Sequence, residues 1–258
     1  MSDITLPSPA SQGTIVEQSR AVAEVAAAIR VALDFPRDTN RAVEDMRELC
    51  SRLAVATRAF YEVPNRGSGL SVHIARELAR IWGNVQYGVK ELSRDDMRGE
   101  SEVLAYAWDQ QTNTRTERSF IVPHAKSTRQ GRKALTDLND IYLNNQNAGA
   151  RAVRECIFSM LPHSLIAEAE SLLRATLERG DGKSIEQRRT DALEKFAGLN
   201  VNEARLVVKL GKPMGQWMPR DIADLVKAYT SITVDGIPVE EFFPEEVVTV
   251  ARDGAIAP

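Results

Sequence analysis

Residues 84–93 read NVQYGVKELS and residues 101–124 read SEVLAYAWDQQTNTRTERSFIVPH. Val85, Tyr87 and Val89 alternate with polar residues, the period of a half-buried strand. Val103, Ala105 and Ala107 fall on one side of the next strand and Leu104, Tyr106 and Trp108 on the other, because successive strand side chains point to opposite faces. Asp109 to Asn113 is a polar turn without glycine. Arg115 to Val122 returns as a third strand, and Pro123 ends it, since proline has no N–H to give to a ladder. The three strands make an antiparallel meander.

Helical patterns flank it. Residues 71–83, SVHIARELARIWG, form a helix that stops at Gly83, and residues 137–162, DLNDIYLNNQNAGARAVRECIFSMLP, form a second. Between meander and second helix lies a basic connection, AKSTRQGRK, at residues 125–133. The expected class is therefore α+β, a meander flanked by helices, with a core over residues 67–180. Residues 1–13, rich in proline and serine, form a disordered N-terminus. Residues 14–66 form an N-terminal helical hairpin. Its first helix carries Ile15, Val22, Val25, Ile29 and Leu33 until Phe35-Pro36 stops it. Asp38 or Thr39 caps its second helix, which runs to about Tyr61 with Val43, Met46, Leu49, Leu53 and Val55 on the apolar side; PNRGSG is a loop. GDGKS at residues 180–184 is a linker to a C-terminal helical module over residues 185–233. Asn200 or Asn202 caps its second helix, and Pro219 sits near the first turn of its third. Residues 234–258 form an acidic tail, since six acids and one base lie between Asp235 and Asp253.

A chain of 258 residues has room for one large domain or two small ones, and its net charge of −3 argues against a wholly basic nucleic-acid binder. Cys50 and Cys156 sit in helical patterns and read as buried, reduced thiols, which suits a bacterial cytoplasm or nucleoid. His73, His124 and His163 lack metal or triad spacing. GDGKS lacks the spacing of a phosphate-binding loop, and nothing supplies a nucleophile with its base. Asp137 and Asp140 read as paired carboxylates of a metal-dependent nuclease or, more simply, as caps of the helix they begin. No catalytic residue, metal or cofactor is expected. No apolar run reaches the roughly 20 residues that span a bilayer, so no membrane partner is expected either.

The functional signal is charge. Between Arg115 and Lys133 lie six basic side chains, Arg115, Arg118, Lys126, Arg129, Arg132 and Lys133, against one acid, Glu117. Lys and Arg neutralise phosphates and release counterions, which gives sequence-independent affinity for a polyanion. The competing account is a solvated strand face and loop. Arg151 and Arg154 follow among the small residues Ala148, Gly149, Ala150 and Ala152, where another backbone can approach closely. Tyr87, Tyr106 and Trp108 offer rings for base stacking, or else fill the core.

Helix, three-stranded meander, basic connection and a helix rich in Ala and Arg resemble the core of the single-strand annealing superfamily, which holds the phage RecT, Red-beta and Erf proteins and the eukaryotic Rad-fifty-two annealer. The resemblance rests on IARELARIWGNVQYGVKEL, SEVLAYAWDQQTNTRTERSFIVPH and NNQNAGARAVRECIFSMLP, within Leu70 to Leu161. It implies ATP-independent binding and annealing of single-stranded DNA in homologous recombination, in a phage, prophage or mobile-element and defence setting, with no bond made or broken. It implies a ring or filament of subunits, and a nuclease or single-strand-binding protein as a further partner. Carried over by position, Arg115, Arg118, Lys126, Arg129, Arg132 and Lys133 contact phosphate, while Arg151 and Arg154 support the groove. The long N-terminal hairpin and the net acidity depart from the better-known members. Two other readings compete: a helical adaptor whose basic surface takes an acidic protein, and the metal-dependent nuclease that would use Asp137 or Asp140.

Overall fold

A computed structural model describes residues 12–64, 67–128 and 131–244. In chain order the elements are α1 (Gln12–Asp34), α2 (Thr39–Cys50), α3 (Leu53–Ala56), β1 (Phe60–Val63), β2 (Gly67–Leu70), α4 (Val72–Trp82), β3 (Val85–Asp95), β4 (Glu100–Asp109), β5 (Thr114–Pro123), β6 (Ala125–Thr128), β7 (Gly131–Ala134), α5 (Leu138–Met160), α6 (His163–Arg179), α7 (Ile185–Ala197), α8 (Glu203–Leu210), α9 (Pro219–Thr233) and α10 (Val239–Phe242). The fold is mixed α+β with antiparallel sheets. It divides into two compact units, each assembled from separated stretches: residues up to 46 with 75–166, and 47–74 with 167 onwards.

The first unit holds the meander, in order β3-β4-β5, and the hairpin β6-β7. The central strand shows the alternation that the sequence predicts, with Ser101, Val103, Ala105 and Ala107 buried on one face. The β4–β5 turn needs no glycine because Asn113 takes the left-handed conformation, φ 54°, and asparagine tolerates it better than most residues. A bulge between Glu91 and Ser93 shifts the β3–β4 register. Gly83 and Asn84 both have positive φ and turn the chain from α4 into β3. The Asn84 amide then donates to the Ala32 and Phe35 carbonyls and to Gln111 Oε1, which ties the end of α1 to the meander.

The second unit is a helical module with the small β1-β2 hairpin. Its core gathers Phe196, Leu206, Trp217, Ile222, Leu225 and Phe243. The helix ends follow local chemistry. Ser184 and Gln187 form a reciprocal capping box on α7, Asn202 caps α8, Gly211 ends α8 at φ 68°, and Pro219 occupies the first turn of α9.

Four expectations change. First, the helical hairpin of residues 14–66 ends early: α2 stops at Cys50, and Phe60–Val63 pairs with Gly67–Leu70 as strands. Phe60, Tyr61 and Val63 favour a pleated surface, and Gly69 leaves room for the Tyr61 ring, which would lie 3.2 Å from any Cβ there. Second, α1 does not bury its apparent apolar side. Val22 and Leu33 are exposed while Ala32 is buried, because contact at the α1 end runs through the Ala32 face. Third, the GDGKS break does not separate the core of residues 67–180 from the module of residues 185–233, since α6 from Ala167 groups with the module. Gly180 and Gly182, both at positive φ, turn α6 into α7. Fourth, the stretch from residue 234 begins as packed structure, with Phe242 and Phe243 buried. Gln12 and Gly13 start α1. The rest of the expected disordered N-terminus, residues 1–11, and residues 245–258 of the expected acidic tail lie outside the described residues.

Candidate nucleic-acid interface

The site is organised by α5. Asp137 caps it, its Oδ1 accepting from the Asn139 and Asp140 amides at 2.9 and 3.2 Å. The helix lies on the face of the meander that carries Val103, Ala105 and Ala107; Cys156 Sγ, for instance, sits 3.7 Å from the Ala105 carbonyl. Gly149 allows this closeness, because a Cβ there would collide with the Val89 side chain. Its smallness therefore serves packing within the unit, not the approach of another subunit. Glu91 on β3 receives Arg94 at 2.8 Å and the Asn145 amide at 3.3 Å. The Arg94 guanidinium holds the Glu91 carboxyl below its usual range, opposed by partial burial and helped by Asn145 and Ser101.

Toward β5 a gap remains. A cavity of about 750 Å³ opens between the second half of β5 and α5. Arg118 comes from β5, Arg151 and Arg154 from α5, with Asn144, Ala148 and Ala152 beside them. Residues more than thirty positions apart thus meet, because Arg118 pairs in register with Ala105 and so points to the helix-covered face. Arg118 also lies near enough to Cys156 to act on its thiol: burial pushes that thiol up, and the Arg118 charge pulls it back. Arg154 is mostly covered and bonds Glu155 at 2.9 Å, whereas Arg151 is exposed. Asn144 Nδ2 donates to the Pro123 carbonyl at 3.0 Å and closes one end.

The expected basic connection is a hairpin. Lys126 and Lys133 stand directly opposite each other across β6 and β7, and Arg132 opposes Ser127. Like charges at such a position repel at a cost of a few tenths of a kcal/mol or more. Lys126, Arg132 and Lys133 are exposed; Arg129 lies outside the described residues. The hairpin is pinned at its base, where Leu135 N donates to the His124 carbonyl at 2.8 Å and His124 Nε2 meets Ser101 Oγ at 2.8 Å.

Arg115 and the aromatics divide differently. Arg115 pairs in register with Trp108 and so lies on the other face, away from Arg118. Its Nε is 3.1 Å from Glu117, and its guanidinium sits 5.5 Å from the centre of the Tyr106 ring, with Lys90 at 5.4 Å from the same ring. Trp108, on that face too, is 8% exposed and gives its indole N–H to Asn113, so little of its ring is left for a base. Tyr87 pairs with Ala107 and belongs to the helix-covered face. The three aromatics therefore form no single stacking surface.

Two participants escaped the sequence reading. Asn144 carried no signal beyond its place in α5. Lys90 stands alone in sequence and meets Arg115 and Tyr106 only through sheet register. Among the described residues no group of three or more His, Cys, Asp or Glu is placed to hold a metal, and no helix is long and apolar enough to cross a membrane. No protein-family model, no curated protein and no solved structure matches this chain.

Proposed function

We propose that the chain binds single-stranded DNA along the β5–α5 cavity and the β6-β7 hairpin, and anneals complementary strands without ATP and without making or breaking a bond. The observation that carries this reading is the convergence of Arg118, Arg151 and Arg154 on one cavity, next to a hairpin that sets Lys126 against Lys133. Arg118 and Arg151 have no carboxylate ion-pair partner among the described residues, so their charge is available to phosphate. The lysine pair is relieved when an anion sits over it. Binding by phosphate neutralisation tolerates any base sequence, as strand annealing needs. A cavity of this size holds only a few nucleotides, so annealing calls for several subunits side by side, in a ring or filament, acting in recombination within a bacterial cytoplasm. A nuclease or a single-strand-binding protein would then hand over or receive the strand.

The test is fluorescence anisotropy with a labelled oligo-dT across a salt series. Binding should be tight at low salt and fall linearly in log–log form. The same titration with Arg118→Ala and Arg151→Ala combined should be weaker and shallower. Absent binding at low salt, or affinity flat with salt, overturns the proposal. Light scattering with and without DNA reads the assembly: a constant 28.6 kDa contradicts the ring or filament.

A further inference from the structure

A second cavity, of about 250 Å³, lies in the first unit at the corner between α1, α2 and the end of α4. It is lined by Phe35, Asp38, Arg41, Asp45 and Trp82, with Arg37 and Asn84 at its back. The back is rigid. Arg37 makes a bidentate ion pair with Asp109, at 2.7 and 2.5 Å, and lies 4.8 Å from the centre of the Trp82 ring. Its Nε is buried with no hydrogen-bond partner among the described residues. The rim is also held, for Asn84 grips the Phe35 carbonyl at 3.0 Å and Gln111 accepts from the Arg37 amide at 2.9 Å. Yet Phe35 is 74% exposed. A backbone fixed this firmly, carrying an aromatic ring left in water beside a half-buried tryptophan, is organised for contact.

The chemistry of the rim narrows the occupant. The cavity is smaller than the roughly 300–1,000 Å³ of pockets that take drug-sized ligands, and suits one planar ring system. The Arg37 charge is already answered by Asp109, which leaves Asp38, Arg41 and Asp45 as the other charged groups of the lining. Arg41 Nε is 3.9 Å from Asp45, a loose pair that a ligand can open. Asp38 spends Oδ1 on the Asn40 and Arg41 amides. Carboxylates accept from the exocyclic amino group of cytosine or adenine, and thymine has no such donor. An exposed arginine beside them suits the phosphate that follows the base.

We propose that this corner is a capture site for one unpaired, amino-bearing nucleobase, stacked against Phe35 and Trp82 and read by Asp45, with Arg41 on its phosphate. The inference rests on the single-strand-binding reading and adds a base preference to it. The test compares oligo-dC and oligo-dT of equal length by anisotropy with the full chain. The wild type should prefer oligo-dC by about tenfold, the scale of one good carboxylate–amino contact. Phe35→Ala should weaken oligo-dC and remove the preference. Asp45→Ala should remove the preference, so that oligo-dC and oligo-dT bind alike. Both side chains are exposed, and circular dichroism checks that the variants keep the parental spectrum. Equal binding of the two oligonucleotides by the wild type overturns the site and leaves salt-sensitive binding in the β5–α5 cavity standing. Variants that keep the wild-type preference overturn it too. A Phe35→Ala chain whose mass changes in light scattering while both affinities stay unchanged places Phe35 in a protein contact and overturns it as well. A wild type that binds neither oligonucleotide at low salt overturns both proposals.

Discussion

Two places in the first unit use arginine in opposite ways. At the corner beyond α1, Arg37 is 7% exposed, locked to an equally covered Asp109 and laid over Trp82. Across β5 and α5, Arg118 and Arg151 line an open cavity without an ion-pair partner of their own among the described residues, while Glu155, which lines it too, is paired with Arg154. The residue type is the same, and the surroundings decide the role. A buried guanidinium with a bidentate partner is part of the architecture, because removing either partner strands a charge in a poor solvent. An arginine facing a water-filled groove contributes little to stability and is available to a ligand. The contrast also explains how a chain of net charge −3 can offer cationic surface: its acids are spent in pairs elsewhere, as in Asp109 with Arg37 or Glu91 with Arg94.

The sharpest way to break the contrast is at Asp109. Asp109→Ala should destabilise the unit by about 3–5 kcal/mol, the loss seen when one partner of a buried pair is removed. Urea denaturation checks it, and a loss under 1 kcal/mol would put Arg37 in the same class as Arg118. The pH dependence follows from the same pair. Burial alone would raise the Asp109 carboxyl, but hydrogen bonds from Arg37, Thr112 and Gln111 outweigh burial and hold it below its ordinary value. A carboxyl depressed by folding contributes stability that is full above its unfolded value, about 3.9, and is lost as pH falls through the lower folded one. Acid unfolding of the wild type should therefore be steeper below about pH 4 than that of Asp109→Asn.

Gly149→Leu attacks the wall that both sides of α5 share. The new side chain meets Val89, and overpacking of this kind costs typically about 1–3 kcal/mol. Thermal melting should show the loss. If it does not, while assembly fails in light scattering, then the small face belongs to a subunit contact after all.

The open side should respond in binding and not in stability. Removing Arg118 and Arg151 together deletes two phosphate contacts, and the salt slope for a single strand should fall by about 1.4. The melting temperature should stay within about 2 °C of the parent, since surface charges away from packed features contribute little. A large loss of stability instead would make these arginines structural, like Arg37.

The smallest effect is expected at the hairpin. Lys133→Gln relieves repulsion with Lys126 and should stabilise the free protein by a few tenths of a kcal/mol while weakening oligonucleotide binding. Opposite signs in the two measurements are the signature; a loss in both means that Lys133 supports the hairpin itself.

The meander was legible because its cause is local. Val103, Ala105 and Ala107 alternate, Pro123 cannot extend a ladder, and Asn113 takes the left-handed turn. The Asn202 cap and Pro219 in the first turn of α9 are local as well. What was misread depended on distant partners. The helical pattern ran on to about Tyr61, but Phe60–Val63 pairs with β2, which the local sequence does not announce. Val22 and Leu33 carry a helical period that says nothing of which side finds a neighbour.

The candidate site divides along the same line. Sequence by itself determined the α+β class, the strand alternation and the run of positive charge, because each follows from side-chain period or from composition within a few residues. Only the tertiary structure decided that Arg118 faces Arg151 while Arg115 turns away to Tyr106, and that Trp108 is covered. A one-residue step in register reverses a side chain's face, and the packing of α5 on the meander leaves a cavity toward β5. Those are properties of pairs of elements far apart in the chain, and no local stretch contains them.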